Sequence, residues 1–152
     1  MRSEAYRRDR ERIEAFVQAW QEPLGLAGWR IDRHYYPSTE AFRKGTGIED
    51  DDAFMSAHPD WEYLQGTIHV DCSVTATMGD WQVEGAVVHE LVHHFLEELA
   101  PLVKMTPDVC RHFEHVTSSL SLAFMWVRDR AAKKRDPLPA ECCKGECAKE
   151  QS

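Results

Sequence analysis

The feature that most constrains this chain is a His-Glu-x-x-His (HExxH) pattern formed by His89, Glu90 and His93. The positions around it are apolar and predict a buried helix: Val87, Val88, Leu91, Val92, Phe95 and Leu96. Residues four apart lie on one face of a helix, so both imidazoles can bind the same metal ion. Glu90 lies about 100° around the helix from His89, where a carboxylate can take a proton from a metal-bound water. The pattern therefore predicts a zinc site, preferred here to two ordinary histidines on a packing helix.

Length and charge exclude several classes of protein. The 152-residue chain has the size of one domain with a hydrophobic core. Its net charge of −8 argues against nucleic acid or an acidic membrane as a partner, since either would need a basic face. No apolar run is long enough to cross a membrane, and the start of the chain lacks the apolar core of a signal peptide. We therefore expect a cytoplasmic protein with a single domain over residues 1–136.

Residues 137–152 are predicted to be a flexible, solvated tail. The tail contains three of the five cysteines: Cys142, Cys143 and Cys147. Three thiolates this close could bind a soft metal, but a fourth ligand and the paired Cys-x-x-Cys spacing of zinc sites are missing. A reducing compartment and an odd number of cysteines argue against disulfides. A tail is therefore preferred to a second metal site.

Periodicity along the chain predicts three helices and a small sheet. Apolar residues at helical spacing mark residues 4–21, 81–99 and 107–134. Asp80 is expected to cap the second of these helices and Thr106 the third. Strand-like segments cover residues 29–36, 53–58 and 67–75, with a turn at Pro59-Asp60 and a surface loop over residues 38–52. The expected core stripe of the last helix consists of Val109, Phe113, Val116, Leu120, Phe124 and Val127.

A hydrolytic zinc site usually takes three protein ligands and leaves one position for water, so a third ligand is needed. The candidates are His94, Cys110, His112, Glu114 and His115. His94 projects about 100° away from His93 and is expected at the surface or behind the ligands. Glu114 is the centre of a helix face rich in small residues, which lets two helices approach closely, whereas His112 and His115 lie toward solvent. We predict Glu114 as the third ligand, with Cys110 as the second choice.

The HExxH helix, followed by Glu114 on a second helix, resembles the gluzincin branch of the zincin metallopeptidases. With a strand over residues 63–71 before the metal helix, the layout looks like the small members, the minigluzincins and the zinc metallopeptidases encoded by phages and mobile elements. The resemblance covers residues 28–130. It implies an α+β fold: a small zincin-like domain with an N-terminal helix, a short and mainly antiparallel sheet, the HExxH helix and a second long helix carrying the third ligand.

The same resemblance implies a function. The protein would be a zinc-dependent metallopeptidase with one Zn²⁺ per chain, held by His89, His93 and Glu114. Glu90 would be the general base that activates the zinc-bound water and passes its proton to the leaving amine. The peptide or protein substrate would pair with an edge strand, which corresponds here to residues 66–73.

Two departures from the family pattern leave an alternative open. Ser118 stands where larger gluzincins often place an acid that orients the first histidine ligand. The residue that stabilises the oxyanion is not identified, and the candidates are Tyr35, Tyr36, His69 and Arg111. The alternative is a non-catalytic zincin-like domain in which zinc is structural and the chain is a binding or assembly module. Glu90 favours the enzyme, because a purely structural site does not require it.

Overall fold

The computed structural model describes residues 4–50 and 52–135, so the predicted tail and its three cysteines lie outside the described residues. Over these ranges the protein has an α+β fold. Its elements are α1 (Glu4–Gln21), β1 (Arg30–Tyr36), α2 (Thr39–Thr46), β2 (Met55–Asp60), β3 (Gln65–Asp71), α3 (Cys72–Thr75), α4 (Asp80–Leu96) and α5 (Pro107–Arg135), with 3-10 helices at Trp61–Tyr63 and Glu97–Leu102. In this part of the chain no helix is both long and apolar enough to cross a membrane.

The three strands form one mixed sheet in the order β1-β3-β2. β1 runs parallel to β3, with His34 opposite His69, and β2 runs antiparallel to β3, with Ala57 opposite Ile68. The expectation of a mainly antiparallel sheet is therefore wrong, because the chain passes through α2 and β2 between the parallel strands.

Residues 66–73 were also expected to form an edge strand. That prediction is wrong too, because β3 has a strand on each side and the edges are β1 and β2.

One hydrophobic core joins the sheet to α1 and α4. Ile68 and Val70 of β3 are fully buried, whereas Thr67 and His69 on the opposite face are half-buried. Alternation of this kind is typical of a strand with one face on the core. Periodicity predicts a stripe on α1 made of Tyr6, Ile13, Phe16, Val17 and Trp20; all of these are buried in the core except Phe16, which is half-buried against it. The helical period of the first segment therefore identified its buried face correctly.

Polar contacts fix α1 against the beginning of α4. The Arg12 guanidinium donates hydrogen bonds to Asp80 Oδ1 at 2.9 Å and to the Thr75 carbonyl oxygen at 2.8 Å. Asp80 was predicted to cap α4, but it is the first residue of the helix, and Gly79 holds the cap position. The Gln82 side chain accepts the Gly79 N–H at 3.0 Å, so the helix start is satisfied without Asp80.

Residues 38–52 were expected to be an irregular loop, but Thr39–Thr46 forms α2. The Ser38 hydroxyl accepts the Ala41 N–H at 3.2 Å, and Gly47 ends the helix with φ +73°. Both are common helix-boundary signals. α2 buries Phe42 completely against Tyr36, which holds the short helix on the sheet.

The boundaries of three other predicted segments also differ. β2 continues through Pro59-Asp60, because an edge strand tolerates proline. β3 ends at Asp71, whose carboxylate accepts the Ser73 N–H at 2.9 Å and caps α3, so the last part of the predicted strand over residues 67–75 is helical. α4 ends at Leu96 and continues as a 3-10 helix rather than running to residue 99. The predicted cap of α5 is present, since Thr106 Oγ1 accepts the Val109 N–H.

α5 packs mainly on α4 through its small residues. Thr117, Ser121 and Met125 are buried there, and Met125 Sδ comes within 3.4 Å of where a Cβ on Gly85 would lie. The predicted core stripe of this helix is only partly correct. Its members Phe113, Leu120 and Phe124 are partly buried against the core, whereas Val116 and Val127 are exposed. Small residues set the face that meets α4 because they permit close approach of the two backbones.

On its other side, α4 comes close to β3 at Gly66. A Cβ on Gly66 would lie 2.3 Å from Nε2 of His94 and 3.1 Å from the carbonyl oxygen of His58. His94 is fully buried, and its Nδ1 lies 2.8 Å from the Glu90 carbonyl oxygen. The expectation that His94 lies at the surface or behind the ligands is therefore half right: the side chain is interior, and it spaces α4 from the sheet.

Gly66→Ala is expected to lower the free energy of unfolding by about 1–3 kcal/mol, because the added methyl group overpacks a site where His94 has no room to move. Urea denaturation monitored by circular dichroism measures the change. Gly28→Ala is the matched control, since a Cβ there would meet nothing within 4 Å. Equal stability of the Gly66 variant and the wild type would contradict close packing of β3 on α4.

Candidate metal centre

α4 presents His89 and His93 on one face, one turn apart. Their Nε2 atoms lie 3.1 Å from each other, and the rings are nearly perpendicular with centroids 4.8 Å apart. Both side chains are half-buried. The helix therefore aims two imidazole nitrogens at the same point, as the four-residue spacing predicts.

α5 brings the Glu114 carboxylate to that point. Glu114 Oε2 lies 3.4 Å from Nε2 of His89, and Oε1 lies 3.4 Å from Nε2 of His93. The side chain is 59% exposed, so its carboxylate borders solvent while still facing both imidazoles. The three residues predicted as metal ligands are therefore brought together by the contact of α4 with α5.

The spacing of the three ligand atoms fits a tetrahedral zinc ion. With bonds of about 2.0–2.1 Å, such an ion holds neighbouring ligand atoms about 3.3–3.4 Å apart. Here the two Nε2 atoms are 3.1 Å apart, and each lies 3.4 Å from a different oxygen of Glu114, Oε2 for His89 and Oε1 for His93. In the described ranges these residues form a group whose ligand atoms all lie within 4.8 Å of one another. Two imidazoles and one carboxylate are also the donor set of hydrolytic zinc sites, so the residues fit the ion in both chemistry and spacing.

The other candidates for the third ligand lie elsewhere. Cys110, His112 and His115 are exposed on α5, and none of them belongs to the group formed by the two histidines and Glu114. His94 is buried against β3 on another side of α4. The structure thus favours Glu114 over Cys110, the second choice from sequence.

The environment of the two histidines keeps them neutral. Burial lowers the pKa of His89, and the nearby Glu114 carboxylate opposes that effect. Burial likewise lowers the pKa of His93, against the opposing influence of Glu114. Only neutral imidazole binds a metal ion, so desolvation prepares both side chains for binding.

Glu90 lies beside the ligands in a dry environment. The residue is 6% exposed. Burial raises the pKa of its carboxyl to about 8, and the charge of Glu114 adds to the effect, while hydrogen bonding with the Ala57 backbone on β2 lowers it. A nearby cation would favour the ionised form. A carboxyl group balanced in this way can accept and return a proton near neutral pH.

A cavity of about 490 Å³ opens next to His89 and Glu90. Apolar side chains from the start of β2, from α4 and from α5 line much of it: Phe54, Met55, Trp81, Ala86, Leu122 and Met125. Ser118, which replaces the acid of larger gluzincins, also lines this cavity. Sequence reasoning did not find the cavity, because its walls come from three elements and the only local signal was the short apolar segment over residues 53–58.

None of the four candidates for oxyanion stabilisation lines this cavity. The Tyr35 hydroxyl donates to Glu14 Oε1 at 2.7 Å, and Arg111 is paired with Asp108. The Tyr36 hydroxyl lies 2.9 Å from Nδ1 of His69 on the outer face of the sheet. The structure therefore does not identify the residue that would stabilise an oxyanion among these four.

Comparison of the chain with protein-family models, with curated proteins and with solved structures found no match. The chemistry of the site therefore has to be inferred from its own atoms. Those atoms are two imidazole nitrogens and a carboxylate that fit one metal ion, with a second, buried carboxylate beside them. Together they form a candidate site for one metal ion with a carboxylate beside it.

Purified wild-type protein is expected to contain one zinc ion per chain, and Glu114→Ala is expected to lose it, because two imidazoles alone leave the ion half-coordinated. Plasma emission after gel filtration measures the metal content. His115→Ala, which removes the exposed neighbour of Glu114, is the control and should keep its zinc. Full zinc content in the Glu114 variant, or none in the wild type, would contradict the assignment.

Proposed function

We propose that this protein is a zinc-dependent metallopeptidase of the gluzincin type with a small zincin-like fold. The observation that carries the proposal is the approach of His89, His93 and Glu114 to within 3.1–3.4 Å of one another, with the buried Glu90 on the same helix. Two imidazoles and a carboxylate would bind zinc without needing Glu90, so that second carboxylate is available for proton transfer.

The three ligands would hold one Zn²⁺ between α4 and α5. When bound, zinc supplies Lewis-acid chemistry, which polarises a carbonyl group and acidifies water. The protein contributes the shape and dryness of the site. Its α4 fixes both histidines, and the contact of α4 with α5 fixes Glu114.

Glu90 would act as the general base and then as the general acid. Its carboxylate would take a proton from the attacking water and give that proton to the leaving amine. Burial favours this role, because it raises the carboxyl pKa to about 8, far above that of a carboxyl in water. Hydrogen bonding with the Ala57 backbone on β2 opposes that rise in pKa and so favours the ionised carboxylate.

The substrate would be a peptide segment in extended form, paired with the edge of β2 (Met55–Asp60). β2 is an edge strand, and its Ala57 backbone reaches Glu90. Main-chain pairing with an edge strand is a common mode of peptide recognition. β2 replaces residues 66–73 in this role, since β3 has no open edge. The adjoining apolar cavity would accept one apolar side chain of the substrate.

Glu90→Gln is expected to lower kcat by about 10²–10⁴-fold while zinc stays bound, because the amide cannot take a proton. Cleavage of a fluorescence-quenched peptide library, with zinc measured in parallel, tests this. Glu98→Gln, at an exposed position on the 3-10 helix that follows α4, is the control. A Glu90 variant with full activity would exclude the mechanism. Zinc-loaded wild type without activity on the library would favour the alternative, a binding module with structural zinc.

Leu122→Lys is expected to lower kcat/KM about tenfold or more for peptides with an apolar residue beside the cleaved bond, because it places a charge in the apolar cavity. Zinc content should not change. Val127→Lys is the matched control: the two side chains are 57% and 58% exposed on the same helix, but Val127 does not line the cavity. Equal losses in both variants would argue against the cavity as a substrate pocket.

A further inference from the structure

Three histidines meet on the outer face of the sheet, one from each strand: His34 of β1, His69 of β3 and His58 of β2. His34 lies directly opposite His69 in the parallel ladder, and His58 is the diagonal neighbour, opposite Thr67. Ring centroids are 5.2 Å apart for His34 and His69, and 4.8 Å apart for His58 and His69. The metallopeptidase proposal uses none of these three residues as ligands.

The His58–His69 pair is similar to the pair in the candidate metal centre in the distance and inclination of its rings. Its rings are 4.8 Å apart and inclined by 77°, compared with 4.8 Å and 75° for His89 and His93. Rings this close can each turn one nitrogen toward a shared ion.

Tyr36 holds His69 in an orientation suited to binding. Its hydroxyl lies 2.9 Å from Nδ1 of His69, and the two rings are stacked. Metal-binding histidines usually use their second ring nitrogen for such a hydrogen bond, which fixes the ring and its tautomer. With Nδ1–H donating to the Tyr36 hydroxyl oxygen, Nε2 of His69 remains for a metal ion. Burial, with smaller contributions from His58 and His34, lowers the pKa of His69 to about 4, so the ring is neutral.

We propose that His34, His58 and His69 form a second metal site, on the outer sheet face, for a divalent ion that prefers imidazole, such as Zn²⁺ or Ni²⁺. The three do not form a group with all nitrogens within 4.8 Å, as the first site does. His34 and His58 are exposed, so their rings can turn toward the fixed His69. Because that ordering costs free energy, the second site binds more weakly than the first.

Titration of the metal-free protein with Zn²⁺, and separately with Ni²⁺, by isothermal calorimetry tests the proposal. The wild type should bind a tight first equivalent and a weaker second one. His69→Ala should lose the second equivalent, and His58→Ala should weaken it at least about tenfold. Tyr36→Phe, which removes only the orienting hydroxyl, should weaken it about tenfold. The first equivalent should persist in all three variants, and this reports that each has folded.

His112→Ala is the control, since it removes an exposed histidine of α5 that belongs to neither site. A wild type that binds one equivalent only would overturn the proposal. So would a second equivalent that binds His58→Ala as tightly as the wild type, since this substitution is at an exposed position. Loss of the second equivalent in the control would assign it to α5 instead. A protein without peptidase activity would not change how these results are read, because metal binding at the first site is tested separately with Glu114→Ala.

Discussion

The packing of α4 between the sheet and α5 is the constraint on which the candidate site depends. On one side Gly66 leaves space only for the buried His94, and on the other Gly85 allows Met125 of α5 to come close. The contact at Gly66 leaves no room for a Cβ, whereas a Cβ on Gly85 would meet Met125 at an ordinary van der Waals distance, and both contacts set the distance of a neighbouring element from the same helix. α4 also carries both histidine ligands. The distances of the sheet and of α5 from α4 therefore determine whether the β2 backbone and Glu114 come close to those ligands. The site is therefore a consequence of helix packing rather than of a separate binding loop.

Glu90 shows what this packing does to chemistry. A carboxylate exposed to water is a weak base, with a pKa of about 4.3. Buried under β2 and near the charge of Glu114, the same group holds its proton far more strongly. The hydrogen bond with the Ala57 backbone limits that shift and ties the carboxylate to the strand proposed to bind substrate. The proposed base and the proposed substrate edge are thus in direct contact.

The differences between expectation and structure have a common physical cause. Apolar spacing reveals that a segment is helical, but it does not say which neighbour covers which face. On α5 the large apolar residues suggested the core stripe, yet the face with Thr117, Ser121 and Met125 is the one that packs on α4, while Val116 and Val127 stay exposed. α2 was missed because Thr39–Thr46 is too short for a periodic signal, and only its caps mark it.

The sequence by itself determined the pair His89 and His93, the position of Glu90 beside them and the helices that carry them, because residues four apart in a helix share a face whatever surrounds it. It also pointed to Glu114, since the small residues on one face of α5 indicate close helix approach. Only the tertiary structure decided that β3 is central, that β2 is the edge next to Glu90, that His94 is interior, and that His34, His58 and His69 meet on one face. These features depend on pairing between segments distant in the chain, which local periodicity does not encode.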